Sequence, residues 1–129
     1  VRTAAWFGFR QVICSEDSVS IFNSKALQAS MGGIGYTNVV YSSFEAISPL
    51  LSPNTAIVAT TLEGKPLAEV SFRTPTLFLF GNEGHGLSPQ LLAQAQVQIT
   101  IPRGEGGQGD SLNVATAVGI VCAAASYFK

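Results

Sequence analysis

Hydrophobic positions along the chain fall into short runs divided by glycines and polar turns. Five runs read as strands, at residues 11–14, 38–41, 55–60, 76–80 and 97–101. Several are apolar throughout rather than alternating, which predicts burial on both faces, as in parallel sheets covered by helices. Helical stretches lie between them at residues 24–30, ending at Gly32-Gly33, and at residues 44–51, where Pro49 weakens the pattern. Ser88-Pro89 opens another helix, with Ser as the cap and Pro in the first turn. Residues 111–127 form the last and longest. This alternation predicts an α/β fold with a parallel sheet flanked by helices.

Residues 1–7 read as the middle of a helix, with Gly8 a suitable stop and no cap before it. The expectation is a chain that begins inside an element. Its 129 residues fit one domain with a buried core.

Composition adds a partner to this picture. Hydrophobic residues make up 47% and charged residues only 12%, against about a quarter charged in an ordinary soluble domain. Some apolar surface is therefore expected to be covered, by a second subunit or another domain. The net charge is −1, which lacks the basic surplus of a stand-alone nucleic-acid binder. Binding a nucleic acid would need a local basic patch or affinity borrowed from elsewhere. Cys14 and Cys122 show no metal or disulfide spacing and read as small buried thiols. The apolar run at residues 115–125 is broken by Thr116 and Gly119 and is too short to span a bilayer. The expectation is a cytoplasmic protein without a membrane partner.

Three segments at strand ends or helix starts are candidates for chemistry, because ligands of open α/β sheets bind beyond the carboxyl ends of strands. The first is Phe80-Gly81-Asn82-Glu83-Gly84-His85-Gly86-Leu87-Ser88. Its glycines would admit a ligand close to the backbone, and Glu83 adds a carboxylate. A tight turn with a solvated Glu83 fits the same spacing. His85 could be a general base, though an exposed loop histidine fits better. The second, residues 101–110, could wrap a ligand or be a flexible connector. The third begins at Asp110-Ser111-Leu112-Asn113. Asp110 or Ser111 can cap the last helix, which would put the Asn113 amide in its first turn, facing a ligand. Arg2 is a fourth element, either a surface arginine or an anchor for phosphate or a reacting oxygen. Neither a P-loop nor a GxGxxG fingerprint is present, which counts against a phosphate-binding nucleotide fold.

Taken together, these segments resemble the three motifs of the SpoU-type (TrmH-like) RNA 2′-O-ribose methyltransferases of the SPOUT superfamily. Arg2-Thr3-Ala4-Ala5-Trp6-Phe7-Gly8 matches the second half of motif 1, residues 80–88 match motif 2, and Ile101-Pro102 with Ser111-Leu112-Asn113-Val114-Ala115 match motif 3. Gln28-Ala29-Ser30-Met31-Gly32 resembles the segment after the second strand. The resemblance covers essentially the whole chain and makes residues 1–129 the catalytic domain, lacking its first strand and any N-terminal RNA-binding domain.

The resemblance implies a sheet whose C-terminal part is threaded as a deep trefoil knot, an exception to the usual rule, and a homodimer. It also implies S-adenosylmethionine as methyl donor, no metal, and a structured tRNA or rRNA as substrate. Carried over, Gly81, Ile101 and Leu112 would contact the donor, with Thr60 and Thr61 lining the pocket. Glu83, Ser111 and Asn113 would shape the site and position the ribose, and Arg2 would act closest to the chemistry. Residues 102–111 are longer and richer in glycine than in compact members, and Arg103 replaces a common methionine. The alternative expectation is a donor-binding module, inactive on its own.

Overall fold

The computed structural model describes residues 1–73 and 75–127. It divides into two compact units, Val1–Leu51 and Ser52–Lys129.

The first unit opens with helix α1 (Arg2–Trp6). Gly8, at φ 75°, stops it. The Phe9 N–H donates to the Ala4 carbonyl and the Gly8 N–H to the Ala5 carbonyl, at 2.9 and 3.1 Å. That pair of bonds satisfies carbonyls the helix would leave open, as the Gly8 stop predicts. Strands β1 (Gln11–Cys14) and β2 (Asn38–Tyr41) pair in parallel, Gln11 opposite Asn38 through Cys14 opposite Tyr41. Between them lies α2 (Ser24–Ser30), whose Lys25 N–H donates to the capping Asn23 side chain. It ends in Met31 at φ 47° and Gly32 at φ 80°. At Gly33 a Cβ would stand 3.0 Å from Arg2 Cα, so this glycine lets α1 lie against the turn after α2.

The helix expected over residues 44–51 is split into α3 (Phe44–Ile47) and a 3-10 turn over Ser48–Leu50. Pro49 has no N–H for the next helical bond, and the chain tightens instead. Ser43 caps α3 by accepting the Ala46 N–H.

The second unit holds a three-stranded parallel sheet in the order β4 (Thr76–Leu79), β3 (Ala56–Pro66), β5 (Val97–Thr100). Among the described residues the strands of both sheets, one two-stranded and one three-stranded, pair in parallel. Strand β3 runs six residues past the expected end at Thr60. It leaves β5 after Thr60 and returns at Lys65 and Pro66 to pair with Ile99 and Thr100. Gly64 makes that return possible, since a Cβ there would stand 2.6 Å from the Ile99 carbonyl carbon. Helix α4 (Pro89–Gln94) starts as predicted, with the Ser88 hydroxyl accepting the Leu91 N–H at 3.3 Å.

Helix α5 (Val114–Tyr127) begins three residues later than expected. The prediction that Asp110 or Ser111 caps it is corrected. Asn113 takes that place, its Oδ1 accepting the Ala115 N–H at 2.9 Å. One side of α5 packs on the sheet. Val58, Leu67, Ile99, Val121 and Ala124 form the buried centre, with Phe72 and Phe78 meeting edge to face beside it at 5.1 Å. Burying a side chain the size of Ile99 or Val121 stabilises the fold by about 2 kcal/mol.

Candidate functional site

The loop after β4 is closed on itself. Asn82 and Gly86 exchange two backbone hydrogen bonds, Gly86 N–H to Asn82 O at 2.8 Å and Asn82 N–H to Gly86 O at 3.3 Å. The Asn82 side chain also accepts the Gly84 N–H at 2.7 Å. Gly81 sits where this loop returns. A Cβ on it would lie 2.3 Å from the Gly86 carbonyl carbon and 2.5 Å from Leu87 N, so no other residue fits without moving backbone. The glycine expected to face a ligand is thus also required by the loop's own closure.

That closure presents Glu83 to the start of α5. Its Oε1 accepts the Asn113 Nδ2–H at 2.8 Å and the Val114 backbone N–H at 3.2 Å. A carboxylate at a helix N-terminus satisfies donors the helix leaves open and faces the positive end of its dipole. Glu83 is exposed, and its carboxylate is engaged by Asn113 and the first N–H of α5. Asn113 lies one residue before α5 and not in its first turn, with its amide nitrogen turned to Glu83.

The glycine-rich segment before α5 is pinned at its ends. The Arg103 guanidinium donates to the Asp110 carbonyl at 3.3 Å, and the Gly107 N–H to the Gly104 carbonyl at 2.9 Å. Gly106 and Gly109 adopt φ of 73° and 103°, conformations that favour glycine. Ser111 and Leu112 follow, both exposed.

Thr60 and Thr61, expected at a strand end, lie inside β3 because that strand continues to Pro66, whereas Ile101 directly follows β5. The Thr60 hydroxyl donates to the Leu79 carbonyl at 2.7 Å and so ties β3 to β4. Thr61 Oγ1 is buried without a hydrogen-bond partner, a costly state that a polar ligand would relieve. Ile101 lines a hollow of about 490 Å³ with Leu67, Ala68, Val70, Pro102, Ile120, Ala123 and Ala124. Its size and apolar walls suit a small organic ligand. Gly81, Thr60, Thr61 and Leu112 are not among its lining residues. The other walls are not legible as a site in the sequence, because alanines and leucines inside elements read as core. The one available signal was the spacing of Ile120, Ala123 and Ala124 along one face of α5.

Arg2 stands exposed on α1, and Trp6, four residues on and so on the same side of the helix, is 82% exposed. His85 is exposed in its loop, as expected. Burial pushes the thiols of Cys14 and Cys122 above the ordinary thiol range; Cys122 is buried and Cys14 half-buried. Among the described residues no group of His, Cys, Asp and Glu is arranged to hold a metal, and no helix is long and apolar enough to cross a membrane.

These motifs have counterparts in known proteins. The model of the SpoU rRNA Methylase family matches residues 1–123. A Synechocystis protein named as a tRNA/rRNA methyltransferase is 32% identical over 126 residues, which are 94% of this chain and 44% of that protein. The 23S rRNA (guanosine(2553)-2′-O)-methyltransferase RlmP of Bacillus subtilis is 28% identical, over 94% of this chain and 49% of its own length. An AdoMet-bound rRNA methyltransferase from Sinorhizobium meliloti superimposes with a TM-score of 0.85 at 28% identity, covering 95% of this chain and 47% of that one. The chain spans about half the length of the relatives it matches. It belongs to the SpoU rRNA methylase family.

Proposed function

We propose that this chain is the catalytic part of an enzyme that transfers a methyl group from S-adenosylmethionine to a ribose 2′-hydroxyl of tRNA or rRNA. The observation that carries the reading is the Glu83 bridge. It joins the residues that match motifs 2 and 3, the segments that fit the donor loops of the family. The fit to the donor is supported by the apolar hollow walled by Ile101 and by the partnerless Thr61 hydroxyl. The names of the relatives, rRNA and tRNA methyltransferases, support the substrate class.

S-adenosylmethionine supplies a methyl group already activated by its positive sulfur. Gly81, Ile101 and Leu112 would hold it, largely through backbone groups, with Thr60 and Thr61 contributed from within β3. The chain's contribution is alignment, which can lower a displacement barrier by several kcal/mol. Ser111, Asn113 and Glu83 shape the surrounding loops. Arg2 orients the 2′-hydroxyl or holds the adjacent phosphate. The arginine side chain offers donors and no acceptor, so a phosphate oxygen or water takes the hydroxyl proton.

The finer architecture belongs to the same proposal: a deep trefoil knot in the C-terminal part and a homodimer in the cytoplasm. Helix α5 supports the dimer, since it carries no charged residue while Ile120 is 37% exposed. A second reading, a donor-binding module inactive on its own, is favoured by the net charge of −1 and by the half-length match. Calorimetry with S-adenosylmethionine and transfer of labelled methyl to bulk RNA separate the two. Binding with transfer supports the enzyme, and binding alone supports the module.

A further inference from the structure

Glu83 connects two loops of different character. Residues 81–88 are held by the Asn82–Gly86 bonds and by the close approach of Gly81 to Gly86. Residues 102–113 carry Gly104, Gly106, Gly107 and Gly109 and form no regular structure. The second loop ends at Asn113, whose two side-chain atoms point to different partners: Nδ2 donates to Glu83 and Oδ1 accepts from Ala115. Glu83 also takes the Val114 N–H on the same oxygen. The first two backbone donors of α5 are thus satisfied by this one pair of side chains. Both N–H groups around Glu83 ask it only to accept.

We propose that Glu83 is a positioning residue which latches the glycine-rich loop and the start of α5 onto the 81–88 loop through Asn113, presetting the donor pocket. The proposal rests on the donor-site reading above. It makes a distinctive demand on the side chain. An amide oxygen can accept both hydrogen bonds as a carboxylate does, so glutamine should serve. A proton acceptor in the reaction could not be so replaced.

The test uses the chain with Glu83→Gln, Glu83→Ala, Asn113→Ala and the double alanine variant. S-adenosylmethionine affinity is read by calorimetry, and the Val114 amide by hydrogen exchange without ligand. Glu83→Gln should bind within about threefold of wild type, and each alanine variant about tenfold more weakly. The double variant should be no weaker than the worse single one, because both substitutions remove one linkage. Val114 exchange should speed up in Glu83→Ala and stay unchanged in Glu83→Gln. Equal damage from glutamine and alanine, additive losses, or an unchanged Val114 in Glu83→Ala would each overturn the latch. If the wild type binds no S-adenosylmethionine, the donor reading fails, and the ligand-free exchange still judges the latch by itself.

Discussion

Glu83 Oε1 and Asn113 Nδ2 lie 2.8 Å apart although thirty residues separate them in the chain. Because Asn113 also caps α5 through Ala115, its loss should be felt in stability as well as in binding. Asn113→Ala should lower the unfolding free energy by about 1 kcal/mol, read as a shift of the urea midpoint at unchanged slope. Asn113→Asp should cost more at neutral pH, because it sets a second carboxylate against Glu83.

Gly81 should tolerate no side chain. Gly81→Ala places a Cβ 2.3 Å from the Gly86 carbonyl carbon, and relieving such overlap typically costs about 1–3 kcal/mol. The same substitution at Gly84 meets only the Asn82 side-chain oxygen at 3.3 Å and should change stability by less than about 0.5 kcal/mol. Thermal unfolding of the two variants side by side checks the contrast.

Filling the hollow beside α5 tests whether it forms part of the proposed donor site. Ala123 lines it without being fully buried. Ala123→Leu should therefore fill space with little strain and weaken S-adenosylmethionine binding at least about tenfold, with the melting temperature nearly unchanged. Unaltered affinity would move the donor site away from this hollow.

Cys122 should react slowly with alkylating reagents. Burial raises its pKa, which leaves less thiolate, the reactive form, at neutral pH. The labelling rate should climb as pH rises past the ordinary thiol range and exceed that of the unfolded protein nowhere below it. The same shift makes the folded state hold its proton longer than the unfolded one. Stability contributed by Cys122 is therefore present below the unfolded pKa of about 8.5 and lost above it.

Much of this architecture was legible in the residue pattern, because it depends on neighbours in sequence. The bounds of β1, α2 and β2, the stop at Gly8 and the cap at Ser88 all follow from local preferences. What escaped depends on distant partners. The return of β3 at Lys65 exists because Gly64 can touch the backbone of Gln98 and Ile99, and nothing near Gly64 announces that. Asn113 displaced Ser111 as the cap because Glu83 holds its amide nitrogen and turns its oxygen to the helix. Of the hollow's walls, Ile101 and Pro102 lie in a motif that the sequence singles out, whereas Leu67, Ala68 and Ala123 carry no such signal. Packing alone distinguishes a cavity wall from a core.

Ribose methylation of RNA is checked by incubating the protein with labelled S-adenosylmethionine and bulk tRNA and rRNA, then digesting the product to nucleosides. Label is expected in a 2′-O-methylnucleoside and should be abolished by Arg2→Ala. Label in a base-methylated nucleoside, or transfer undiminished by Arg2→Ala, would contradict the proposal.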